Sequence, residues 1–408
     1  MERKRQGGRT AVFLTLCTTL LLATCGFARA QDEKPFSLGP EIDRQWIAGT
    51  KLMYSLDLSG ANREFRQLIV SSPTHPAGYL ALAALEWWKF SQNYDMTGDS
   101  ADKEVFETTF LSYANKAVSL SENWLDNGGD TASADFIMGT AYGLMARWYA
   151  VDRSWWSAFV KGKKGRKYLL QAVKLNPRIY DAYAGLGIYD YYADSLPGVL
   201  KLSALLFVNG DRKRGMEELE ICINKGRFFN IEAQLFYISI LVQFEKDYAK
   251  ALLMVQKLRD SDPGNIFFRF VEFLTVFNMH DWDNTIKLAN SFLEDLPALK
   301  NATINQQAAL FYLAAGDAHI AKNEYGQAIS MFNQGINTTP YPDKGWVTFC
   351  YLRRGQIYDI LGDRNKALAD YKTVSERPNF WDSASYAKAG RKTPFTAAKV
   401  LDQINDVQ

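Results

Sequence analysis

His75, His280 and His319 are the only imidazoles in this 408-residue chain, and they stand far apart along it. A zinc site or a nucleophile-and-base pair needs histidine at short, set spacing from cysteine, glutamate or a second histidine, and no such spacing occurs here. The strained serine elbow G-x-S-x-G is missing too. His319 is expected to pack between neighbouring helices, and His280, beside Asp281, to sit at a surface turn or cap. The run Lys161-Gly162-Lys163-Lys164-Gly165-Arg166-Lys167 suggests backbone amides cradling a phosphate. It lacks the order G-x-x-x-x-G-K-[ST] and no strand leads into it, so it reads as the solvated start of a helix. Glu217, Glu218 and Glu220 share a segment with Arg212, Lys213 and Arg214, which reads as a wet face of i,i+4 pairs rather than a general acid and base. Asp190 stands among Tyr189, Tyr191 and Tyr192. A carboxylate in that setting either has a shifted pKa put to use or simply accepts tyrosine hydroxyl bonds. No catalytic residue, cofactor or metal is expected, and the chain is expected not to be an enzyme.

These side chains need a scaffold, and the composition supplies one: 47% of residues are hydrophobic and 14% aromatic. The first thirty residues are set aside. Arg3, Lys4, Arg5 and Arg9 precede an apolar run from Ala11 to Ala23, and Ala28-Arg29-Ala30 offers small residues before Gln31. That is the order of a secretory signal peptide over 1–30, with a flexible segment at 31–40. Two rivals stand beside cleavage: retention of 11–27 as an anchor, and lipidation of Cys25. Loss of 1–30 removes five basic residues and Glu2, so 47 basic against 45 acidic becomes 42 against 44, a charge of −2. A nearly neutral mature surface predicts no nucleic-acid partner and no strong membrane association after cleavage. A bacterial periplasm or cell envelope is the expected place. Cys222 and Cys350, each in a predicted helix, read as buried apolar fillers rather than a disulfide.

A seventeen-residue phrase recurs along the chain: an acidic or polar start, a small residue at the fifth place, apolar residues at the ninth and twelfth, a closing proline. Asp247–Pro263 reads DYAKALLMVQKLRDSDP, and 34 residues later Asp281–Pro297 reads DWDNTIKLANSFLEDLP. Further copies start at Asp57, Lys161, Glu324 and Asp363, the last one residue short. Spacing of four then three puts Ala61, Phe65 and Leu68, or Ala328, Phe332 and Gly335, on one helical stripe. Proline ends each helix by forcing its predecessor out of the helical region. A period near 34 means stacked helix pairs, each sheltering an apolar face only against its neighbours.

A first helix precedes each phrase. Tyr312, Ala315, Gly316 and His319 match Tyr351, Arg354, Gly355 and Tyr358 at a shift of 39. This resembles the tetratricopeptide repeat, well over 230–378, fairly over 41–90 and 161–192. The resemblance implies an all-α, right-handed superhelix of about eight helix pairs over 41–378. A C-terminal segment with a capping helix is expected over 379–408.

Two units are stretched. Gly139 to Gly165 spans 26 residues and Gly187 to Gly215 spans 28, where 12 would be regular. The excess holds Ala146–Val160 and Tyr191–Val208, both apolar enough for packed helices. The stretch from Gly185 through Leu219 resembles an exported bacterial tetratricopeptide subfamily, distantly similar to eukaryotic proteins of inclusion-body clearance, and only topology is carried over from it.

The resemblance also implies a concave wall built by the first helices, and with it a non-catalytic scaffold for a protein partner. The register puts Trp46, Tyr54, Trp87, Trp88, Tyr191, Tyr192, Phe236, Phe244, Phe270 and Phe277 there, and Asp190, beside them in sequence, joins them as a candidate partner-binding residue. So apolar a wall does not fit the carboxylate clamp of some family members. If open, it suits an amphipathic helix or, alternatively, a lipid or other apolar small molecule. If closed, the stretched segments fold over it.

Overall fold

The computed structural model describes residues 35–93, 103–195, 210–299, 302–338, 343 and 345–405, and the stretch from Leu38 on forms one compact unit. The expected signal peptide and the apolar 196–209 lie outside the described residues. Every long element among those described is a helix, and they fall into eight successive pairs. The pairs are α1 (Pro40–Tyr54) with α2 (Leu58–Ser71), α3 (Ala77–Asn93) with α4 (Lys103–Asp126), α5 (Thr131–Val151) with α6 (Trp155–Leu175), and α7 (Ala182–Ser195) with α8 (Arg212–Lys225). Then come α9 (Asn230–Ile240), prolonged by a π-helical turn at Leu241–Glu245, with α10 (Tyr248–Ser261), α11 (Ile266–Asn278) with α12 (Trp282–Asp295), α13 (Ala308–Ala321) with α14 (Tyr325–Ile336), and α15 (Trp346–Ile360) with α16 (Arg364–Ser375). Two short helices, α17 (Ser383–Lys392) and α18 (Ala397–Asn405), follow. Phe395, Val400 and Ile404 bury against the last pair's core. From α1 to α17 each helix packs on its chain neighbours, which makes the architecture an all-α solenoid, and α18 folds back onto α13 and α15.

The recurring phrase acquires a physical meaning in the turn between the helices of a pair. In four copies its first residue caps the second helix: the Asp57, Asp247, Asp281 and Asp363 side chains each accept from the backbone N–H three residues on, as Asp211 does before α8, whereas Glu324 stands at the cap without such a bond and Lys161 lies inside α6. This satisfies one of the orphan donors at a helix start. Just before the cap stands a left-handed residue, Leu56, Lys246, His280, Asn323 or Gly362. The backbone N–H of the following residue then reaches back five positions, as Asp281 does to Val276 and Asp363 to Tyr358. That bond closes the preceding helix and starts the next in one motif. His280 therefore occupies a turn position, with its ring stacked on Trp282 at 4.9 Å.

The fifth, ninth and twelfth places are where the helices of a pair cross. A Cβ at Gly316 would lie 2.2 Å from the ring of Phe332, and one at Gly49 2.3 Å from that of Phe65. Ala61, Leu68, Ala328 and Gly335 line the same buried stripe. Proline acts as expected after α2, α6 and α10, where Ser72, Asn176 and Asp262 leave the helical region. Before Pro297 it does not: Leu296 stays helical, and α12 ends in a further turn instead.

The first stretched unit keeps its crossing. Gly139 still meets Leu169, as Gly316 meets Phe332, although 30 residues separate the first pair and 16 the second. The extra fourteen divide evenly, because α5 runs twelve residues past Gly139 where α1 runs five past Gly49, and α6 starts fourteen before Leu169 where α2 starts seven before Phe65. Seven residues make two helical turns, so both helices lengthen without changing face. The segment 146–160 thus extends a helical hairpin and does not fold across the wall as a separate cover. The run at 161–167 consequently lies in the middle of α6, not at its start.

Candidate functional site

The first helices do build an inner wall, and its two halves meet. Trp46 on α1 packs on Phe228 and Phe229, just before α9, with ring centroids at 5.5 and 5.9 Å. Phe136 of α5 reaches the same Phe229 at 6.0 Å. Tyr54 of α1 stands edge-on to Trp88 of α3 at 5.1 Å, and Trp88 to Phe267 of α11 at 5.0 Å. One hydrophobic core consequently runs from Met53 and Phe65 through Tyr237 and Phe267 to Phe311. Aromatic rings desolvate one another efficiently in this edge-to-face geometry.

Polar groups clamp the meeting. Arg227 donates to Asp43 at 2.9 Å. Glu232 of α9 accepts from the Tyr54 hydroxyl and, at 2.6 Å, from Arg147 in the lengthened part of α5. The Arg147 guanidinium lies 4.7 Å from the Trp87 ring and 4.6 Å from that of Phe236, a cation held between two aromatic faces. Burial and the adjacent Glu232 carboxylate hold the Tyr54 phenol well above its ordinary pKa. Asp181 accepts from the backbone N–H groups of Arg227, Phe228 and Phe229, which fixes the strand of chain that enters α9.

This changes the reading of the predicted wall residues. Trp46, only 2% exposed, and Tyr54, Trp87, Trp88, Asp190 and Tyr191 are buried, so in this structure they contact the opposite wall or their neighbours and not solvent. The physical reason is curvature, which brings pairs one to three against pairs five and six. Tyr192, Phe236, Phe270 and Phe277 are half-buried, and Phe244 is 40% exposed. Three of these converge where α7 meets the end of α9: Tyr192 lies 5.7 Å from Phe244 and 6.3 Å from Phe236, all edge-on. Phe244 rides on the π-helical turn, a distortion that often marks functional places. Beneath it Tyr191 donates to Glu245 at 2.5 Å, and Arg212 holds both. Burial pushes the Tyr191 phenol up to about 12. The result is a small aromatic mouth at the edge of an otherwise closed wall.

Asp190 faces away from that mouth. Its carboxylate takes Arg166 Nε at 2.9 Å and Arg214 Nε at 2.6 Å, so arginines of α6 and α8 hold it, not the tyrosines beside it in sequence. Glu218 also departs from expectation. Glu217 and Glu220 lie on the wet face, but Glu218 is buried, and burial together with the neighbouring Asp190 charge raises its pKa to about 8. His75 is half-buried against Trp124 at 4.6 Å, and desolvation lowers its pKa to about 4. His319 pairs with Glu324 at 2.7 Å. Cys222 and Cys350 are buried free thiols. Among the described residues no group of His, Cys, Asp and Glu is placed to hold a metal ion, and no helix is long and apolar enough to cross a membrane.

Arg147 and Glu232 are the pair that sequence reasoning missed. Arg147 sits in the fourteen-residue excess, where no repeat register applies, and Glu232 is an ordinary first-turn acid. The missing acid in α6 was the other legible signal, since its 21 residues carry six cations and no carboxylate.

Residues 350–378, most of α15 and all of α16, match the family model described as tetratricopeptide repeat. No curated protein matches the chain. Among solved structures, the crystal structure of the P58(IPK) TPR domain is similar at 14% identity, covering 90% of this chain and 99% of that one, with a TM-score of 0.21. The APC/C hetero-tetramer Cut9–Hcn1 is similar at 12% identity, covering 96% and 74%, with a TM-score of 0.25. Neither superposes on the chain as a whole at such scores.

Proposed function

We propose that this chain, a tetratricopeptide-repeat protein, is an exported, non-catalytic scaffold that receives a protein partner at the aromatic mouth formed by Tyr192, Phe236 and Phe244. The observation that carries the reading is the exposure of Phe244 on its π-helical turn, at the border of a wall whose other rings are mostly covered. An aromatic side chain half in water beside buried ones is the kind of anchor that protein interfaces use. The repeats supply stiffness, because each pair is locked to the next along a continuous core. A carrier of apolar small molecules draws less support, since the inner-wall rings already fill the space between the two halves and a ligand would have to part them. Export rests on the order of charged, apolar and small residues over 1–30, and a bacterial envelope or periplasm is the compartment it implies.

The test is cross-linking in the native host, with wild type compared against Phe244→Ala and Tyr192→Ala. One stoichiometric neighbour recovered with wild type and lost with both variants supports the scaffold at this mouth. A neighbour retained by both variants moves the interface elsewhere. Fractionation of the host, with and without residues 1–30, tests export separately.

A further inference from the structure

Across pairs one to six the inner wall is closed by its own opposite side, and at pairs seven and eight a different element covers it. The last helix, α18, turns back and packs on α13 and α15, the first helices of those two pairs. Its Val400 and Ile404, four apart on one face, are buried in the cluster that holds Leu313 and Ile320 of α13 and Leu352 of α15. Between them Gln403 reaches a polar floor. Its side-chain oxygen accepts from Arg353 at 3.0 Å and from the Gln356 amide at 2.7 Å. Arg353 also donates to Asp317 at 3.1 Å and to the Gln356 oxygen at 2.9 Å, and all three floor residues are buried.

Two properties set this contact apart from a plain end cap. The first is its chemistry. A tail that only shelters apolar surface is served by apolar side chains, whereas an arginine, an aspartate and an amide at the same place carry a desolvation cost. What such a floor adds is selection: it suits a helix that brings an oxygen to Arg353 and Gln356, and it leaves buried donors short of a partner under any other. The second is how lightly α18 is tied. It has nine residues, fewer than an isolated helix needs to persist in water, and it buries two side chains. The chain before it has attachments of its own. The Phe395 backbone N–H donates to Asp359 at 2.9 Å, and Arg364 donates to the Gly390 and Arg391 carbonyls, so α17 is fixed to pair eight without α18.

We propose that α18 is a displaceable plug: the inner face of α13 and α15 is a docking site for a helix of a partner protein, and the chain's own C-terminal helix keeps it closed until that helix arrives. The incoming helix carries apolar residues at i and i+4, in the places of Val400 and Ile404, and a side-chain oxygen at i+3, in the place of Gln403. Glutamate is the stronger ligand there, because a charged oxygen strengthens the bonds from Arg353 and Gln356. The site is separate from the aromatic mouth and does not depend on it.

The experiment uses the full chain and a labelled peptide of its own residues Thr393 to Gln408, followed by fluorescence anisotropy. In the wild type the tethered α18 competes at high effective concentration, so the peptide should bind weakly. The full-length variant Val400→Asp/Ile404→Asp releases the plug and should bind the peptide at least about tenfold more tightly. On that released chain a Gln403→Glu peptide should bind several-fold tighter again, and a Gln403→Leu peptide several-fold weaker. Phe244→Ala should leave this binding intact, so the plug and the mouth fail or stand separately. Hydrogen exchange reads the wild type without any substitution: amides of 397–405 should exchange at least about tenfold faster than those of α15, and should slow when Gln403→Glu is placed in the chain. Exchange in α18 as slow as in α15, or loss of α15 protection along with that of α18 in Val400→Asp/Ile404→Asp, would make α18 a fixed part of the fold and overturn the inference. A released chain that binds no peptide, or that binds the Glu and Leu peptides equally, would overturn it as well.

Discussion

The Arg147 guanidinium and the Glu232 carboxylate meet at 2.6 Å although 85 positions separate them, and the contact ties the lengthened α5 to α9 across the inner wall. Removing one member of a largely buried pair leaves the other charge unpaired, which costs more than the pair is worth. Arg147→Met is expected to lower stability by about 2 kcal/mol, less than a fully buried pair because both groups keep some contact with water. The double variant Arg147→Met/Glu232→Gln should recover part of that loss, as read from urea unfolding. Arg147→Glu, which sets two carboxylates face to face, should part the walls and let an apolar dye fluoresce on Trp87 and Trp88. An undisturbed, dye-free protein would show that the rings alone hold the wall closed.

Helix capping gives a prediction of smaller size. The Asp281 carboxylate accepts from the Asn284 backbone N–H at 3.2 Å and from its side-chain amide at 2.7 Å. Asp281→Ala should cost about 1 kcal/mol, and Asp281→Ser, which keeps a capping oxygen, much less. Chemical denaturation of the two variants side by side checks the role of the phrase's first residue.

How much of this was legible follows from which contacts are local. The capping aspartates, the small crossing residues and the prolines act within one helix pair, so they repeat at a readable interval and the solenoid was predictable. The contact of Trp46 with Phe228 is of another kind. It depends on the summed rotation of the three intervening pairs, and small angles per repeat leave no mark in any single repeat. That is why the concave residues could be placed on the wall but not said to be covered. Arg147 was hidden for a different reason. The insertion breaks the register, and only after its fourteen residues prove to be two turns in each helix does the face of Arg147 follow. The lysines of α6 were readable as a charge cluster, but their place in mid-helix follows only once α6 is known to run from Trp155 to Leu175.

Two glycines of α5 should respond in opposite directions to the same change. A Cβ at Gly139 would fall 2.7 Å from Leu169 Cγ and 2.9 Å from its backbone nitrogen, whereas one at Gly143 would meet nothing within 4 Å. Gly139→Ala must therefore push α6 away and is expected to cost about 1–3 kcal/mol. Gly143→Ala only removes backbone freedom from the unfolded chain and should stabilise by about 0.5–1 kcal/mol. Thermal melts of both variants test whether the crossing point really survives the insertion. If Gly139→Ala were as benign as Gly143→Ala, the close approach of α5 and α6 would be wrong.

Glu218 and His75 together shape the response to pH. Glu218 holds its proton up to about pH 8 in the folded protein and to about 4.5 when unfolded. Its favourable contribution is complete below pH 4.5 and fades as pH rises toward 8, because the unfolded chain releases the proton first. His75 works in the other direction. Its folded pKa of about 4 lies below the ordinary 6.5, so its contribution is complete above pH 6.5 and fades as pH falls toward 4. Between 4.5 and 6.5 the two slopes oppose, and from 6.5 to 8 only the Glu218 decline remains. Asp317, which burial raises to about 6, adds a decline of the same sign up to that pH, so urea midpoints should drift downward from pH 5 to 6 and fall again from 6.5 to 8. Glu218→Gln should abolish the fall on the alkaline side, since a neutral amide has no proton to lose. His75→Gln should expose a decline that already begins near pH 4.5. A fall above pH 6.5 that persists in Glu218→Gln would place its origin outside the Asp190, Arg166 and Arg214 cluster.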